Sequence, residues 1–388
     1  MNVPKLRFKE FNDEWQNKKI DELFKLSSGS TPATTEKNNY VGDINWISSG
    51  ELKSKYINKT INCISKKVSK SMRIYPKGTL LIALYGLEAE GVRGTASILN
   101  IDSTISQACM AFEPLNNNIT NEFMYYWYKK NGEWIGRKIA QGTKQQNLTS
   151  ELVKPLIVNY PQIIEQNKIE KMLSLLDRKI EFQSKKIEDL KLFKKGLHDK
   201  LLNEVTGDDY PLSDIAVFEN GKGHENIVDE NGKYILINSK FVSTDGNVTK
   251  KCSKQLTPLF KNDITMVMSD LPNGKALAKC YYIDENNKYS LNQRICKIKV
   301  KDDSIINSKY LFYLLNRNSY YLRFDDGVNQ TNLKKDDILS LNLVLPSIKD
   351  QERDSKTLTI IDNIIEKENN KLSRLNLLKK GLMQNMFV

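Results

Sequence analysis

The sequence contains only two histidines and five cysteines, and these residues are widely separated. The histidines are His198 and His224, and the cysteines are Cys63, Cys109, Cys252, Cys280 and Cys296. Zinc sites need clustered cysteine or histidine ligands, and no CxxC spacing occurs here, so we expect no metal site in this chain. Scattered thiols in odd number indicate a reducing compartment, and we expect a cytoplasmic protein.

Long apolar runs are also missing. No stretch approaches the roughly 18 apolar residues that a membrane-spanning helix needs. Residues 1–10 are charged and lack the apolar core of a signal peptide. We therefore expect no association with a membrane.

The motifs of several enzyme classes are absent. The sequence has no Walker loop, no GxGxxG that opens a helix and no GxSxG elbow. It also lacks the [DN]PP[FYW] run that is typical of enzymes methylating exocyclic amino groups. A self-contained methyltransferase is therefore disfavoured, and we predict that the chain has no catalytic centre.

The chain has an excess of basic residues. Its formal net charge is +12, and the excess is larger in residues 1–160 than in the rest of the chain. Such a charge suits a polyanionic partner such as nucleic acid. A generally lysine-rich composition would produce the same charge, so charge alone does not decide the function.

Two proline-free stretches, residues 163–202 and 348–387, are similar to each other without a gap. The run Lys194–Leu197 in the first recurs as Lys379–Leu382 in the second. In both stretches the apolar spacing alternates between four and three residues. This is the heptad period of a left-handed coiled coil, whereas an ordinary surface helix has a period of 3.6 residues.

The heptads define a seam along each predicted helix. The apolar seam residues are Leu173, Leu176, Ile180, Ile187, Leu190, Leu197, Leu358, Ile361, Ile365, Leu372, Leu375 and Leu382. Gln183, Lys194, Glu368 and Lys379 interrupt the seam at matching places, and such polar residues can specify register. We predict that the two helices pair with each other. The alternative is that each helix packs on its own domain. The number of residues between the two helices permits either parallel or antiparallel pairing.

The similarity extends into the segments before the helices. The sequence matches Tyr125, Tyr128 and Asn131 to Tyr310, Tyr313 and Asn316, and Ile20 to Ile215. We predict an α+β protein made by duplication of one unit. Its parts are a mixed α/β domain (1–160), a long helix (161–205), a second mixed domain (206–346) and a second long helix (347–388).

Three local features together identify a family resemblance. Gly29–Pro32 is followed by the run Asp43–Glu51, Gly142–Leu148 leads to Pro161 and Glu165-Gln166, and a long helix follows each globular unit. With these features the chain resembles the specificity (S) subunits of type I restriction-modification enzymes. The second unit departs from the pattern, because it has Gly221–His224 and Leu271–Lys275 in place of the first run.

The resemblance implies that DNA recognition and catalysis lie on different subunits. It implies two target-recognition domains separated by an antiparallel helix pair, and double-stranded DNA as the ligand. It also implies two modification subunits that hold S-adenosylmethionine and methylate adenine, and restriction subunits that use ATP and Mg to cleave DNA. No cofactor is then expected in this chain. Antiparallel helices would relate the domains by a pseudo-two-fold axis, which suits a bipartite target with a spacer whose length the helices set.

Candidate DNA contacts fall into two chemical groups. Lysines can contact phosphates without reading sequence, and the candidates are Lys53, Lys55, Lys144, Lys222, Lys240, Lys250 and Lys275. Base reading needs side chains with defined hydrogen-bonding geometry, and the candidates are Ser30, Thr31, Ser48, Arg93, Gln145, Gln146, His224, Asn238, Asn273, Arg294 and Gln330. Any one of them could instead be an ordinary turn or surface residue. Trp46 and Trp127 are expected in the core.

Two other functional classes remain open at this stage. A stand-alone DNA-binding regulator would bind its site tightly without partner subunits. A coiled-coil adaptor would show no salt-dependent affinity for DNA.

Overall fold

The computed structural model describes residues 3–86, 94–142, 146–202 and 204–388. The chain forms two compact units: unit 1 contains Met1–Ser184 and Asn370–Val388, and unit 2 contains Lys185–Asn369. Each unit therefore combines one globular domain with a segment of each long helix. The domain limits given above, which assign each helix to one contiguous segment, stay predictions.

Unit 1 is built from short strands and mostly short helices. Its strands are β1 (Gln16–Lys19), β2 (Phe24–Ser28), β3 (Ile44–Ile47), β4 (Tyr56–Ile57), β5 (Asn62–Ile64), β6 (Leu80–Ala83), β7 (Tyr85–Gly86), β8 (Ala96–Leu99), β9 (Thr104–Ile105), β10 (Cys109–Pro114), β11 (Gln146–Asn147) and β12 (Ile157–Tyr160). Its helices are α1 (Ile20–Leu23), α2 (Lys66–Ser69), α3 (Asn121–Trp134), α4 (Ser150–Val153) and the first part of α5 (Ile163–Leu202).

The centre of unit 1 is a five-stranded sheet with the order β2-β10-β6-β8-β4. A three-stranded sheet, β5-β3-β9, and the pairs β1-β12 and β7-β11 surround it. β6 is buried along its whole length because both faces of the sheet are covered. Leu80 and Ile82 belong to the same core cluster as α3, while Leu81 and Ala83 belong to a second cluster on the opposite face.

Both ends of the chain contribute to the core of unit 1. The Phe387 ring lies 5.1 Å from the Phe123 ring and 6.5 Å from the Trp15 ring, measured between centroids. Leu6 N donates to Asn385 O at 2.8 Å. Met383 and Met386 in the last turn of the second long helix, and Phe387 directly after it, are thus part of the first domain's core.

Unit 2 has the same kinds of element. Its strands are β13 (Asp208–Pro211), β14 (Ala216–Asn220), β15 (Tyr234–Ile237), β16 (Lys251–Cys252), β17 (Ile264–Val267), β18 (Ser269–Asp270), β19 (Cys280–Tyr282), β20 (Tyr289–Leu291), β21 (Ile295–Val300), β22 (Thr331–Asn332) and β23 (Asn342–Leu345). Its helices are α6 (Leu212–Ile215), α7 (Ser239–Ser243), α8 (Ser308–Leu315), α9 (Ser319–Leu322), α10 (Lys335–Leu339) and the first part of α11 (Ile348–Met386).

The sheets of unit 2 repeat those of unit 1. The order β14-β21-β17-β19 corresponds to β2-β10-β6-β8, and β16-β15-β20 corresponds to β5-β3-β9. The pairs β13-β23 and β18-β22 correspond to β1-β12 and β7-β11. The duplicated α+β fold predicted from the sequence is confirmed, and the duplication extends through the segments whose sequences differ most.

The structure corrects the register of the sequence match before the helices. Tyr126 of α3 and Tyr313 of α8 make equivalent hydrogen bonds to α5 and α11. Asn131 and Asn318 each donate to the carbonyl oxygen four residues earlier. The N-cap side chains Thr120 and Asn307 accept from Phe123 N and Tyr310 N in the same way. The matches of Tyr125 to Tyr310, of Tyr128 to Tyr313 and of Asn131 to Asn316 were therefore all wrong by two residues. The match of Ile20 to Ile215 was wrong as well, because Ile20 begins α1 whereas Leu212 begins α6.

The two long helices pair in an antiparallel manner, as expected. In unit 2 the Lys186 Nζ lies 2.7 Å from Glu368 Oε1, and the Lys194 Nζ lies 2.5 Å from Asp362 Oδ1. Rising numbers on α5 thus meet falling numbers on α11. Every predicted apolar seam residue is buried or partly buried, as a coiled-coil seam requires.

The seam lysines have a role that the heptad pattern did not indicate. In unit 1 Lys379 pairs with Asp177 at 2.5 Å, and the same carboxylate accepts a hydrogen bond from the Tyr126 hydroxyl at 2.7 Å. Lys194, Asp362 and Tyr313 repeat this arrangement in unit 2. Each triad ties an aromatic helix of the domain to both long helices. Burial is the largest cause that raises the pKa of Tyr126 and of Tyr313.

A glutamine near the start of each long helix joins that helix to its domain. Gln166 Nε2 donates to Pro161 O at 2.8 Å, and its Oε1 accepts from Thr120 N at 3.1 Å. Gln351 makes the matching bonds to Pro346 O and Asn307 N. These contacts give a structural reason for the recurring glutamine. In the part of the chain that the structure describes, no helix is long and apolar enough to cross a membrane.

Candidate nucleic-acid interface

In unit 1 several strands end or begin at one edge of the central sheet. β2 ends at Ser28 and β6 ends at Ala83, and both lie beside the start of β10 at Cys109. β3 also ends here, because Ser106 N donates to Ile47 O at 2.8 Å. We name the loops leaving this edge the loop edge of unit 1. They bring together the predicted residues Ser30, Thr31 and Ser48.

A glycine begins the first loop in both units because a side chain would not fit there. A Cβ on Gly29 would lie 1.9 Å from Ile105 O, and a Cβ on Gly221 would lie 2.0 Å from Asn292 O. In unit 1 the next amide, Ser30 N, donates to that Ile105 oxygen at 3.0 Å. The close backbone approach therefore recurs although the loop sequences differ.

Two aromatic side chains hold the loop of unit 1 in place. Trp46 Nε1 donates to Ser30 O at 3.2 Å, and the Tyr40 hydroxyl donates to Pro32 O at 2.9 Å. The two rings pack edge to face with centroids 5.6 Å apart. Trp46 is 7% exposed and so is a supporting core residue, as expected from the sequence. Trp127 is likewise buried in the main core.

The loop edge of unit 2 is formed by the equivalent strands. β14 ends at Asn220, β17 ends at Val267, and both lie beside the start of β21. β15 ends at the same edge, since Asn292 N donates to Ile237 O at 3.0 Å. The loops here carry the predicted residues Lys222, Asn238 and Arg294. Asn238 caps α7 by accepting a hydrogen bond from Phe241 N at 2.8 Å.

Two further loops of this edge are linked to each other. Asn273 Nδ2 donates to Gly327 O at 3.3 Å, and Gln330 Nε2 donates to Ser269 Oγ at 2.6 Å. The Asp270 carboxylate shapes the first loop by accepting from the backbone amides of Leu271, Ala276 and Leu277. The structure thus brings the predicted residues Asn273, Lys275 and Gln330 to one place, with the Lys275 side chain exposed.

Two predicted residues are held inside the protein. His224 is 1% exposed, and its ring nitrogens contact Lys222 O and Ser290 Oγ, both at 2.7 Å. The Lys55 Nζ pairs with Glu122 at 2.6 Å and donates to Ser174 Oγ at 2.7 Å. Either side chain would have to leave these partners to touch DNA.

The remaining candidates have simpler positions. Lys53, Lys240 and Lys250 are exposed, and Lys240 lies on α7 two residues after Asn238. Arg93, Lys144 and Gln145 lie outside the described residues. Of Gln146 only the backbone is described, and it pairs with Gly86 in the β7-β11 sheet. DNA contact by each of these residues stays a prediction.

Sequence reasoning missed several exposed residues of the loop edges. Gln107 and Gln293 stand just before β10 and β21, and both are exposed. A glutamine stands two residues before the equivalent strand in both halves of the sequence, and this recurrence was a signal that could have identified them. Leu271 and Val328 are 69% and 76% exposed at the tips of the linked loops. Bases are usually read by polar side chains, so apolar residues at the tips of these loops were not expected. No sequence motif indicated them.

The described ranges contain no group of three or more His, Cys, Asp or Glu residues placed to bind a metal ion. Burial raises the pKa of both the Cys109 and the Cys296 thiol to about 12, so neither is a reactive thiolate near neutral pH. The side chains exposed at the loop edges are mainly amide, hydroxyl and cationic groups. Such groups can hydrogen-bond to bases and phosphates.

Comparison with known protein families gives a match in each half of the chain. The family model described as "Type I restriction modification DNA specificity domain" matches residues 12–192 and again residues 205–377. The Type I restriction enzyme MjaIX specificity subunit of Methanocaldococcus jannaschii is 25% identical over 408 residues, covering 95% of this chain and 90% of that protein. The MjaVIII specificity subunit of the same organism is 25% identical over 181 residues, covering 45% of this chain and 40% of its own length.

Solved structures show the same fold. The S subunit of a type I restriction-modification system from M. genitalium aligns with a TM-score of 0.66 and 18% identity, covering 100% of this chain and 99% of that one. A chain from a structural study of complex assembly and conformational transition of the type I R-M system aligns with a TM-score of 0.58 and 12% identity, covering 96% and 97%.

Proposed function

Because the chain belongs to the specificity-subunit family of type I restriction-modification enzymes, we propose that it binds DNA at a defined sequence and directs partner subunits to that site. The observation that carries this proposal is the duplicated loop edge. One sheet framework presents Ser30, Thr31 and Ser48 in unit 1 but Lys222, Asn238 and Arg294 in unit 2. A shared framework with different exposed side chains suits a protein that reads two different half-sites.

The chemistry is assigned to partners. The sequence lacks the catalytic motifs of methyltransferases and of P-loop ATPases, so this chain would supply recognition only. S-adenosylmethionine is proposed on modification subunits that methylate adenine, and ATP and Mg on restriction subunits that cleave DNA.

We propose a bipartite target whose spacer length depends on the long helices. The boundary between the units crosses α5 after Ser184 and α11 after Asn369, which are equivalent positions of the duplication. Inserting one heptad at both positions would lengthen the paired helices by about 10 Å at 1.5 Å per residue. At 3.4 Å per base pair, the spacer is expected to grow by about three base pairs. An unchanged spacer in a complex that still methylates DNA would refute the role of the helices.

Exposed apolar residues on the long helices support two docking sites for modification subunits. In unit 1 a groove of about 590 Å³ is lined by residues of α5 and α11. Leu175 and Leu378 there are 50% and 53% exposed. Their equivalents in unit 2, Ile360 and Phe193, are 50% and 58% exposed. Because solvent-facing apolar side chains recur at matching positions, we propose that each unit docks one copy of the same partner.

The docking proposal is tested by placing acidic residues in one groove at a time. Leu175→Asp with Leu378→Asp should reduce the modification subunits per chain from two to one in native mass spectrometry. Ile360→Asp with Phe193→Asp should do the same. Leu115→Asp is the control, because Leu115 is 55% exposed in unit 1 and does not line the groove. Retention of two modification subunits by both double variants would exclude these surfaces.

The function as a whole is tested by mapping methylation. The chain is expressed with its modification subunit in a host that lacks the system, and N6-methyladenine is located by long-read sequencing. A new motif of two short blocks with a fixed gap is expected. A motif that persists when the chain is deleted, or no motif with a demonstrably active partner, would contradict the proposal and favour a regulator that binds DNA alone.

A further inference from the structure

One exposed arginine has a backbone conformation that its side chain does not favour. The described non-glycine residues with positive φ are Asp245, Asn262, Asn273, Ala278, Asn287, Arg294 and Arg317. Asn and Asp adopt this region with little strain, whereas Ala and Arg do so at a cost. Backbone strain of this kind persists only where the surrounding structure imposes it, and it clusters at functional sites.

The fold explains the positive φ of Ala278 and Arg317. Arg317 N donates to Ala278 O at 2.8 Å, so these two strained residues brace each other. The Arg317 guanidinium also donates to Leu277 O at 3.2 Å and to Gly274 O at 3.4 Å. Its side chain therefore helps to shape the loop that carries Asn273.

Arg294 differs because the fold makes no use of its side chain. Its φ is +67°, its side chain is exposed, and it has no hydrogen bond or ion pair within the described ranges. Its backbone, by contrast, is fixed. Arg294 O accepts from Met268 N at 3.0 Å, and the preceding residue, Gln293, donates its backbone N–H to Lys222 O at 3.1 Å.

The equivalent position of unit 1 shows that the framework does not require this strain. Ala108 O accepts the matching hydrogen bond from Leu84 N at 2.8 Å. Ala108 has no positive φ. The strained conformation at Arg294 is thus specific to unit 2, and it aims an unpaired guanidinium outward from the middle of the loop edge.

We propose that Arg294 is a specificity-determining residue that reads a guanine in the half-site bound by unit 2. This inference rests on the proposed function and adds a residue and a base to it. A guanidinium on a fixed backbone can donate two parallel hydrogen bonds to O6 and N7 of guanine. Lys222 and Lys275 are exposed on neighbouring loops and supply positive charge for phosphates without bidentate geometry.

The test uses the complete complex with its modification subunits and the target found by methylation mapping. Each guanine of the second block is replaced in turn by 7-deazaguanine, which lacks the N7 acceptor, and affinity is measured by fluorescence anisotropy. For the wild type, one replacement should weaken binding roughly 5- to 100-fold. For Arg294→Gly, which has no donor to place near guanine, the same replacement should change affinity less than twofold.

Two further measurements separate base reading from other roles. Arg294→Gly should have a melting temperature no lower than the wild type, because glycine tolerates positive φ. Asn287→Gly is the matched control: it makes the same kind of backbone change at an exposed residue with φ of +56° outside the loop edge. This control should retain wild-type affinity and the response to 7-deazaguanine.

The outcomes distinguish this inference from the proposed function. If the complex binds no defined sequence, the proposed function fails. If it binds its target but no 7-deazaguanine replacement has an effect, or the second block contains no guanine, only the assignment of Arg294 fails. Arg294→Gly could instead weaken binding to all DNA sequences equally and reduce the slope of log affinity against log salt concentration by about one. Arg294 would then contact the phosphate backbone, and the inference would be overturned.

Discussion

Replacing Asp177 by alanine tests whether the triads hold each domain on the long helices. In unit 1 the Asp177 carboxylate lies 2.5 Å from the Lys379 Nζ and accepts the Tyr126 hydroxyl at 2.7 Å. The Asp177 and Lys379 side chains are 21% and 23% exposed, so this pair is largely but not fully shielded from water. The substitution removes both interactions and leaves the lysine without its carboxylate.

The expected loss of stability follows from that partial burial. Removing one partner from a buried pair costs about 3–5 kcal/mol, whereas an exposed pair contributes about 0–1 kcal/mol. The Asp177 side chain is about one fifth exposed, and it also accepts a hydrogen bond as a charged group. We therefore expect Asp177→Ala to lower the free energy of unfolding by about 2–3 kcal/mol. A unit of this size melts about 2–4 °C lower for each kcal/mol, so the transition of unit 1 should fall by about 4–12 °C.

Urea unfolding followed by circular dichroism and differential scanning calorimetry measure these quantities. Asp189→Ala is the control, because Asp189 is exposed on the same helix; its effect should stay within about 0.5 kcal/mol. A cycle of Asp177→Ala with Tyr126→Phe should show a coupling of about 0.5–3 kcal/mol, since the two residues are in contact. If Asp177→Ala destabilises no more than Asp189→Ala, the triads do not anchor the domains.

Three other perturbations have defined outcomes. Phe387→Ala empties a site in the core of unit 1 where the ring is 3% exposed, and urea unfolding should show a loss of about 3–5 kcal/mol. Gly29→Ala would place a Cβ 1.9 Å from a backbone oxygen and should lower the melting temperature. Gly196→Ala, near the C-terminal end of α5 and with no atom within 4 Å of the added Cβ, should instead stabilise the protein by about 0.5–1 kcal/mol. Burial raises the pKa of Glu170 in the folded protein, so its neutral form is favoured there and the contribution to stability is lost as pH rises through the folded pKa. Glu170→Gln should therefore melt above the wild type at pH 8, with the difference disappearing below about pH 4.5; an equal difference at both pH values would contradict the assignment.

The long helices were predictable because their determinants are local. Seam residues such as Leu173 and Leu358 recur at heptad spacing, and the period is visible without knowledge of the partner. The polar seam residues were also visible, but their partners were not. Lys379 meets Asp177 only because the chain folds back on itself, and neither residue indicates the other in sequence.

The aromatic helices show where sequence matching failed. Tyr125, Tyr126 and Tyr128 all stand within one turn of α3, so three tyrosines compete for the match with Tyr313. Only contact with the next helix identifies Tyr126 as the equivalent residue. Local composition cannot resolve such a choice, because the selecting interaction joins residues far apart in the chain.

The candidate interface was predicted in part. Gly29 and the side chains near it were identified from the first motif, and the structure adds the reason, which is a carbonyl oxygen where a Cβ would stand. His224 and Lys55 have the right chemistry for DNA contact, yet both side chains are engaged inside the protein. Burial depends on the packing of distant strands, so residue type alone could not separate these two from exposed candidates such as Arg294.

The sequence by itself determined the duplicated order of domain and helix, the heptad seam and the family, because repetition and period are properties of a linear chain. Tertiary structure alone decided which segments meet. It placed the end of the second long helix in the core of unit 1, carried the duplication through segments with little similarity, and collected dispersed loops at one edge of each sheet. These outcomes depend on hydrogen bonds and packing between residues far apart in sequence, and a local pattern contains no record of them.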